Sequence, residues 1–134
     1  MKTYIIGHLK PDTDAVVAPL ALQALYQAEQ CFGYQNVEVV TTGSLNPETT
    51  FLFEKFGMSA PRPITAADID PEDRVVLVDH NEENQRLADL NPESIVEILD
   101  HHKINCNFKN PIFLTFKPWG PRLALPTFCS NNIR

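Results

Sequence analysis

Arg74-Val-Val-Leu-Val78, followed at once by Asp79-His80-Asn81, is the stretch of sequence that decides the fold. A short, continuous apolar run rich in β-branched residues is typical of a strand buried on both faces. Residues 3–7 and 95–99 form similar runs, and polar residues follow each of them as well. Helical patterns separate these runs and no hairpin turn joins them. The alternation predicts an α/β fold with a mostly parallel sheet and flanking helices.

The other elements are predicted from periodicity and from capping residues. Asp12 or Thr13 can begin the first helix, and Gly57 can end the second. Helices are expected over residues 15–29, 47–56 and 83–90, and further strands over residues 37–41 and 111–116, the last as an edge strand.

Composition and charge argue against several classes of protein. The chain has 134 residues, a formal charge of −6 and 43% hydrophobic residues, which fits one folded domain and excludes a disordered chain. The negative charge argues against a nucleic-acid-binding surface. Cys31, Cys106 and Cys129 show no metal-binding or redox spacing. With no signal peptide and no apolar stretch of roughly 20 residues, we expect a soluble cytoplasmic protein without a membrane partner.

Carboxylates and imidazoles follow all three apolar runs. Open parallel sheets bind ligands beyond the carboxyl ends of their strands, so these side chains are expected to meet at one edge. Mixed nitrogen and oxygen donors suit Mn²⁺, Co²⁺, Fe²⁺ or Zn²⁺ better than Ca²⁺. There are more candidates than one ion needs, so Asp79 could bridge two ions that promote phosphoryl displacement. The candidate ligands are His8, Asp12, Asp14, Asp79 and one histidine of the 101–102 pair.

Some of these residues, taken singly, also have a purely structural interpretation. Asp12 could act only as a helix cap, and His80 and His102 could be structural histidines with no chemical task. Three acidic and histidine-containing segments at successive strand ends nevertheless favour a common metal site.

Four ordered motifs carry a resemblance to known proteins. Asp100-His101-His102 resembles the segment that names the DHH phosphoesterase superfamily. Residues 7–14, 79–82 and 117–120 resemble, more closely, the manganese-dependent (family II) inorganic pyrophosphatases. Over about residues 1–120, the resemblance implies hydrolysis of pyrophosphate by a cytoplasmic homodimer that pairs through its N-terminal domain. It also implies two Mn²⁺ ions per site, with Co²⁺ or Mg²⁺ as substitutes.

The resemblance also assigns roles to individual residues. His8 and Asp12 would bind one metal ion and Asp14 and His101 the second, while Asp79 would bridge the two ions at the catalytic centre. His102 would be catalytic, as a general acid or a phosphate contact. Asp100 would orient a neighbouring imidazole, and His80 and Asn81 would support the site or the substrate.

The chain departs from the family pattern in two ways. Lys10 stands where the family usually has Asn, and Ala15-Val16 stands where Ser-Ile is common. From the resemblance, we also expect that a further metal-binding Asp and a basic, substrate-binding C-terminal domain are missing. We therefore expect an incomplete DHH domain over residues 1–119 and an aberrant tail over residues 120–134, which we attribute to a one-base frameshift. Such a chain would be weakly active or inactive alone.

Two other functions remain open from the sequence. The chain could be a DHH phosphoesterase that acts on oligonucleotides or cyclic dinucleotides. It could also be a non-catalytic fragment that binds metal or dimerises.

Overall fold

Five parallel strands form a single sheet in the computed structural model, which describes residues 1–29, 33–34 and 36–117. Their bounds are β1, Thr3–Ile6; β2, Val37–Val40; β3, Arg74–Val78; β4, Ile95–Asp100; and β5, Phe113–Phe116. The order across the sheet is β2-β1-β3-β4-β5, so β1, β3 and β4 are direct neighbours and β5 lies at an edge. The predicted α/β fold with a parallel sheet is confirmed.

Within the described residues, two α-helices accompany the sheet, α1 over Thr13–Glu29 and α2 over Pro47–Lys55. Short 3₁₀ helices span Ala66–Asp68, Glu83–Gln85 and Pro92–Ser94. The prediction of a helix over residues 83–90 is wrong, because helical structure ends at Gln85. Arg86 has an extended backbone with ψ of 162° and Asp89 has a φ of +59°, and neither conformation belongs to a helix.

The central strand β3 supplies the core on both faces of the sheet. Val75 and Leu77 pack into one apolar cluster, and Val76 and Val78 pack into a second cluster that includes Leu22 of α1. All four β3 residues are buried. A strand covered on both sides needs apolar residues at every position, and this explains the continuous run in the sequence.

A buried carboxyl group joins α1 to β4. Glu97 is 1% exposed and accepts hydrogen bonds from the hydroxyls of Tyr26, at 2.7 Å, and Tyr34, at 2.9 Å. Burial raises the pKa of Glu97, although the two hydroxyls stabilise its charged form and offset part of this effect. The pattern of apolar residues in 95–99 did not predict this polar contact.

Gly7 allows α1 to begin directly against the end of β1. A Cβ atom at Gly7 would lie 2.1 Å from the carbonyl oxygen of Ala15, well inside any real contact distance. The close approach fixes the turn of residues 8–12 between these two elements, and this turn carries His8 and Asp12.

No helix in the described part of the chain is long and apolar enough to cross a membrane. The predicted tail over residues 120–134, the Trp119-Gly120 part of the fourth motif, Cys31 and Cys129 all lie outside the described residues.

Candidate metal centre

The carboxyl ends of β1, β3 and β4 meet at one edge of the sheet, around a cleft of about 650 Å³. The turn after β1 supplies one wall, and the segments after β3 and β4 supply the others. The cleft is lined by His8, Leu9, Lys10, Asp12, Asp14, Asp79, Asn84, Gln85, His101 and His102. Six of the nine predicted site residues are in this set.

Asp79 lies at the centre of the cleft, at the end of β3. Its backbone φ is +65°, a left-handed conformation that costs a non-glycine residue about 1–2 kcal/mol. Its amide donates to the carbonyl of Leu99 at 2.9 Å, which holds this turn against β4. Backbone conformations of this kind are concentrated at functional sites. Burial raises the pKa of Asp79, and the nearby charge of Asp14 raises it further.

The two carboxylate oxygens of Asp79 face different partners. Oδ2 lies 3.6 Å from Nε2 of His8, and Oδ1 lies 3.0 Å from Nε2 of His101. Asp79 thus has one oxygen toward the segment after β1 and the other toward the segment after β4.

His8 and Asp12 form a first group of donor atoms with Asp79. Nε2 of His8 is 3.6 Å from Oδ1 of Asp12. Nδ1 of His8 donates to the carbonyl of Leu9 at 2.8 Å, which leaves Nε2 as the nitrogen with a free lone pair in the neutral ring. One donor atom from each of the three side chains lies within 4.8 Å of the others.

The second group surrounds Asp100 at the end of β4. Oδ1 of Asp100 accepts from Nδ1 of His102 at 2.8 Å and from the backbone amides of His101 and His102 at 2.7 and 3.1 Å. Burial favours a higher pKa for Asp100, but hydrogen bonds from Asn81 and His102 outweigh it and lower the pKa. The hydrogen bond between His102 and Asp100 raises the pKa of His102. Asp79, Asp100, His101 and His102 form the group.

Asn81 connects the segments after β3 and β4. Its Nδ2 donates to Oδ2 of Asp100 and to the carbonyl of Lys103, and its Oδ1 accepts from the amide of Asn105 at 2.7 Å. Its own carbonyl accepts from the guanidinium of Arg86 at 2.7 Å. Asn81 therefore holds Asp100 in place from outside the cleft.

Arg86 supports the site from outside the cleft, and the sequence did not reveal this role. It is 8% exposed, and its guanidinium lies 4.7 Å from the ring centre of Phe108 as well as contacting Asn81. It lies in the stretch for which a helix was predicted, and no motif marks it.

His80 is fully buried and does not line the cleft. Its Nδ1 donates to the carbonyl of Val78 at 2.9 Å, while Nε2 has no hydrogen-bond partner among the described residues. Burial lowers the pKa of His80 to about 4, so the ring is neutral. It lies edge-on to the ring of His8, with centroids 6.4 Å apart, where it can support His8 but not reach a substrate.

Asp14 lines the cleft but belongs to neither group of donor atoms among the described residues. Imidazole nitrogens and carboxylate oxygens together suit Mn²⁺ and similar divalent ions, so the residues present fit the predicted metal.

Comparisons with known proteins agree with this geometry. Residues 2–122 match the family described as the DHH family, N-terminal domain. A protein of Streptococcus pyogenes serotype M5 (strain Manfredo) is 36% identical over 120 residues, and one of Lactococcus lactis subsp. lactis (strain IL1403) is 38% identical over 120 residues. Both are named as probable manganese-dependent inorganic pyrophosphatases.

A solved structure is similar over the same region. The crystal structure from Methanococcus jannaschii, described as a candidate family II inorganic pyrophosphatase, superposes with a TM-score of 0.68 at 32% sequence identity. It matches 88% of this chain and 35% of its own length. The two bacterial relatives are likewise matched over 89% of this chain, which spans only 38% of their length.

Proposed function

The chain belongs to the DHH family, and we propose that it forms the metal-binding part of an enzyme that hydrolyses inorganic pyrophosphate to two phosphates. The position of Asp79 carries the proposal. It directly follows the central strand, and one of its carboxylate oxygens lies near His8 while the other lies near His101. The names of the bacterial relatives support pyrophosphate as the substrate and manganese as the metal.

Each metal ion is assigned a set of side chains. We assign His8, Asp12 and Asp79 to one Mn²⁺ ion, and Asp14, Asp79 and His101 to the other. Co²⁺ or Mg²⁺ could substitute, because both accept carboxylate and water ligands. The bound ions supply Lewis acidity toward the phosphoryl group.

The protein residues around the ions orient groups and hold protons. Asp100 fixes the Nδ1 proton of His102 and raises the pKa of the ring, so Nε2 of His102 is the atom that can donate a proton to the leaving phosphate. Asn81 fixes Asp100, and Arg86 fixes Asn81. His80 packs behind His8 as a neutral ring.

We expect weak turnover by this chain alone, since Lys10 is the one Lys or Arg side chain among the described residues that line the cleft, and pyrophosphate carries several negative charges.

We also propose a cytoplasmic homodimer that pairs through the edge strand β5, where Leu114 is 45% exposed.

Phosphate release from pyrophosphate in the presence of Mn²⁺ tests the proposed function. Asp79→Asn should lower the rate by about a hundredfold or more. Mutation of a residue that only hydrogen-bonds to a metal ligand already lowers metal affinity or activity about 10–100-fold. Asp89→Asn is the matched control, because Asp89 has the same left-handed backbone, with φ of +59°, and is exposed outside the cleft. Equal rates for the wild-type chain and Asp79→Asn would reject catalysis at this site. Faster cleavage of a cyclic dinucleotide than of pyrophosphate would favour the other phosphoesterase function.

A further inference from the structure

Lys10 is opposite in charge to the carboxylates that line the cleft. Asp12, Asp14 and Asp79 contribute carboxylates to the lining, and Lys10 contributes the one Lys or Arg side chain from the described residues. A cleft built to hold cations alone gains nothing from a lysine, because the ammonium repels them. A cleft that also receives a phosphate anion does gain from one.

The lysine ammonium is available to a ligand. Asp12 and Asp14 are only two and four positions away in the chain. Even so, within residues 1–29, 33–34 and 36–117 no salt bridge or hydrogen bond involves the Lys10 side chain. Lys10 is exposed, so its ammonium remains hydrated until a ligand enters the cleft.

The backbone of Lys10 is held in a conformation that does not favour lysine. Its φ is +53°, where Gly or Asn would be less strained. The turn is fixed on both sides, because the Leu9 amide donates to the Gln85 carbonyl at 2.8 Å and the Thr42 hydroxyl donates to the His8 carbonyl at 2.8 Å. Backbone preference therefore does not explain the lysine, whereas its charge at the cleft does.

We propose that the Lys10 ammonium binds a phosphate group of the substrate at the metal centre. This inference rests on the proposed function, because it takes the phosphate to be part of pyrophosphate. Lys10 would then be a substrate-binding residue that this chain supplies from the turn between β1 and α1.

Binding of methylenediphosphonate, a non-hydrolysable analogue of pyrophosphate, to the Mn²⁺-saturated 134-residue chain tests the inference by calorimetry. Lys10→Asn removes the charge and suits the left-handed backbone, and it should raise the Kd of the analogue about fivefold, as for an exposed charge pair. Lys10→Arg should restore most of the affinity. Lys109→Asn, an exposed lysine outside the cleft, should leave the Kd unchanged. The Kd of Mn²⁺ should be no higher in any variant than in the wild-type chain, because Lys10→Asn removes a charge that repels cations.

The outcomes separate this inference from the proposed function. Equal analogue affinity for the wild-type chain and Lys10→Asn, in a chain that shows Asp79-dependent hydrolysis, would overturn the role of Lys10 and leave the proposed function intact. Failure of the wild-type chain to bind the analogue would overturn both. Higher ionic strength should weaken binding to the wild-type chain more than to Lys10→Asn, and equal salt dependence would also count against Lys10.

Discussion

At the residue scale, the Asp12 carboxylate both caps a helix and lies among the candidate donor atoms for a metal ion. Its Oδ1 accepts a hydrogen bond from the amide of Ala15 at 3.0 Å, which caps the start of α1. The same oxygen lies 3.6 Å from Nε2 of His8, within the first group of donor atoms. The capping and metal-binding interpretations of this residue are thus compatible.

Asp12→Ala should therefore lower both stability and metal affinity. Loss of the cap should cost about 1 kcal/mol in the free energy of unfolding, measured with urea on the metal-free chain. Loss of the carboxylate should weaken Mn²⁺ binding at least about tenfold. Asn46→Ala is the control, because Asn46 caps α2 by accepting from the Thr49 amide at 2.7 Å and lies outside the cleft. If both substitutions had the same effect on Mn²⁺ affinity, Asp12 would be a cap alone.

The sequence revealed the candidate donor residues but not the residues that hold them in place. His8, Asp79 and His101 follow recognisable strands, so their meeting at one edge could be predicted. Arg86 acts through a contact with Asn81 that depends on the folded path of the chain. In the sequence Lys10 stands out only as a departure from a family pattern, and its place in the cleft is evident only from the folded turn.

At the element scale, the contact between β1 and α1 positions half of the site. Gly7→Ala would place a methyl group against the Ala15 carbonyl, and the helix would have to move. We expect a loss of about 1–3 kcal/mol in the free energy of unfolding, the usual range for overpacking. Gly43→Ala serves as the control, since a Cβ there meets nothing within 4 Å. Equal urea midpoints for the two variants would show that this contact is not tight.

Local pattern predicted the strands better than the short helices. Residues 75–78 are buried and pack on both faces of the sheet, so their apolar composition alone marks a central strand. Residues 83–90 have a helix-compatible composition, but the left-handed backbone of Asp89 and the contact of Arg86 with Asn81 stop the helix after one turn. The second of these is a tertiary contact, which a local pattern does not encode.

At the scale of the whole molecule, the strand order creates the site. β1 and β3 lie side by side in the sheet although 67 residues separate Ile6 from Arg74, and β4 pairs with the other side of β3. Parallel pairing brings their carboxyl ends to one edge and gathers the carboxylates there. The sequence predicted this convergence only on condition that the three strands are neighbours, and the topology meets that condition.

The number of Mn²⁺ ions bound per chain tests whether Asp79 serves both groups of donor atoms. We expect the wild-type chain to bind two ions in a calorimetric titration followed by electron paramagnetic resonance, which would detect coupling between neighbouring ions. His8→Ala should weaken the binding of one Mn²⁺ ion only. Asp79→Asn should weaken the binding of both ions and remove the coupling between them. Two ions bound with unchanged affinity by Asp79→Asn would contradict the metal centre described for this edge of the sheet.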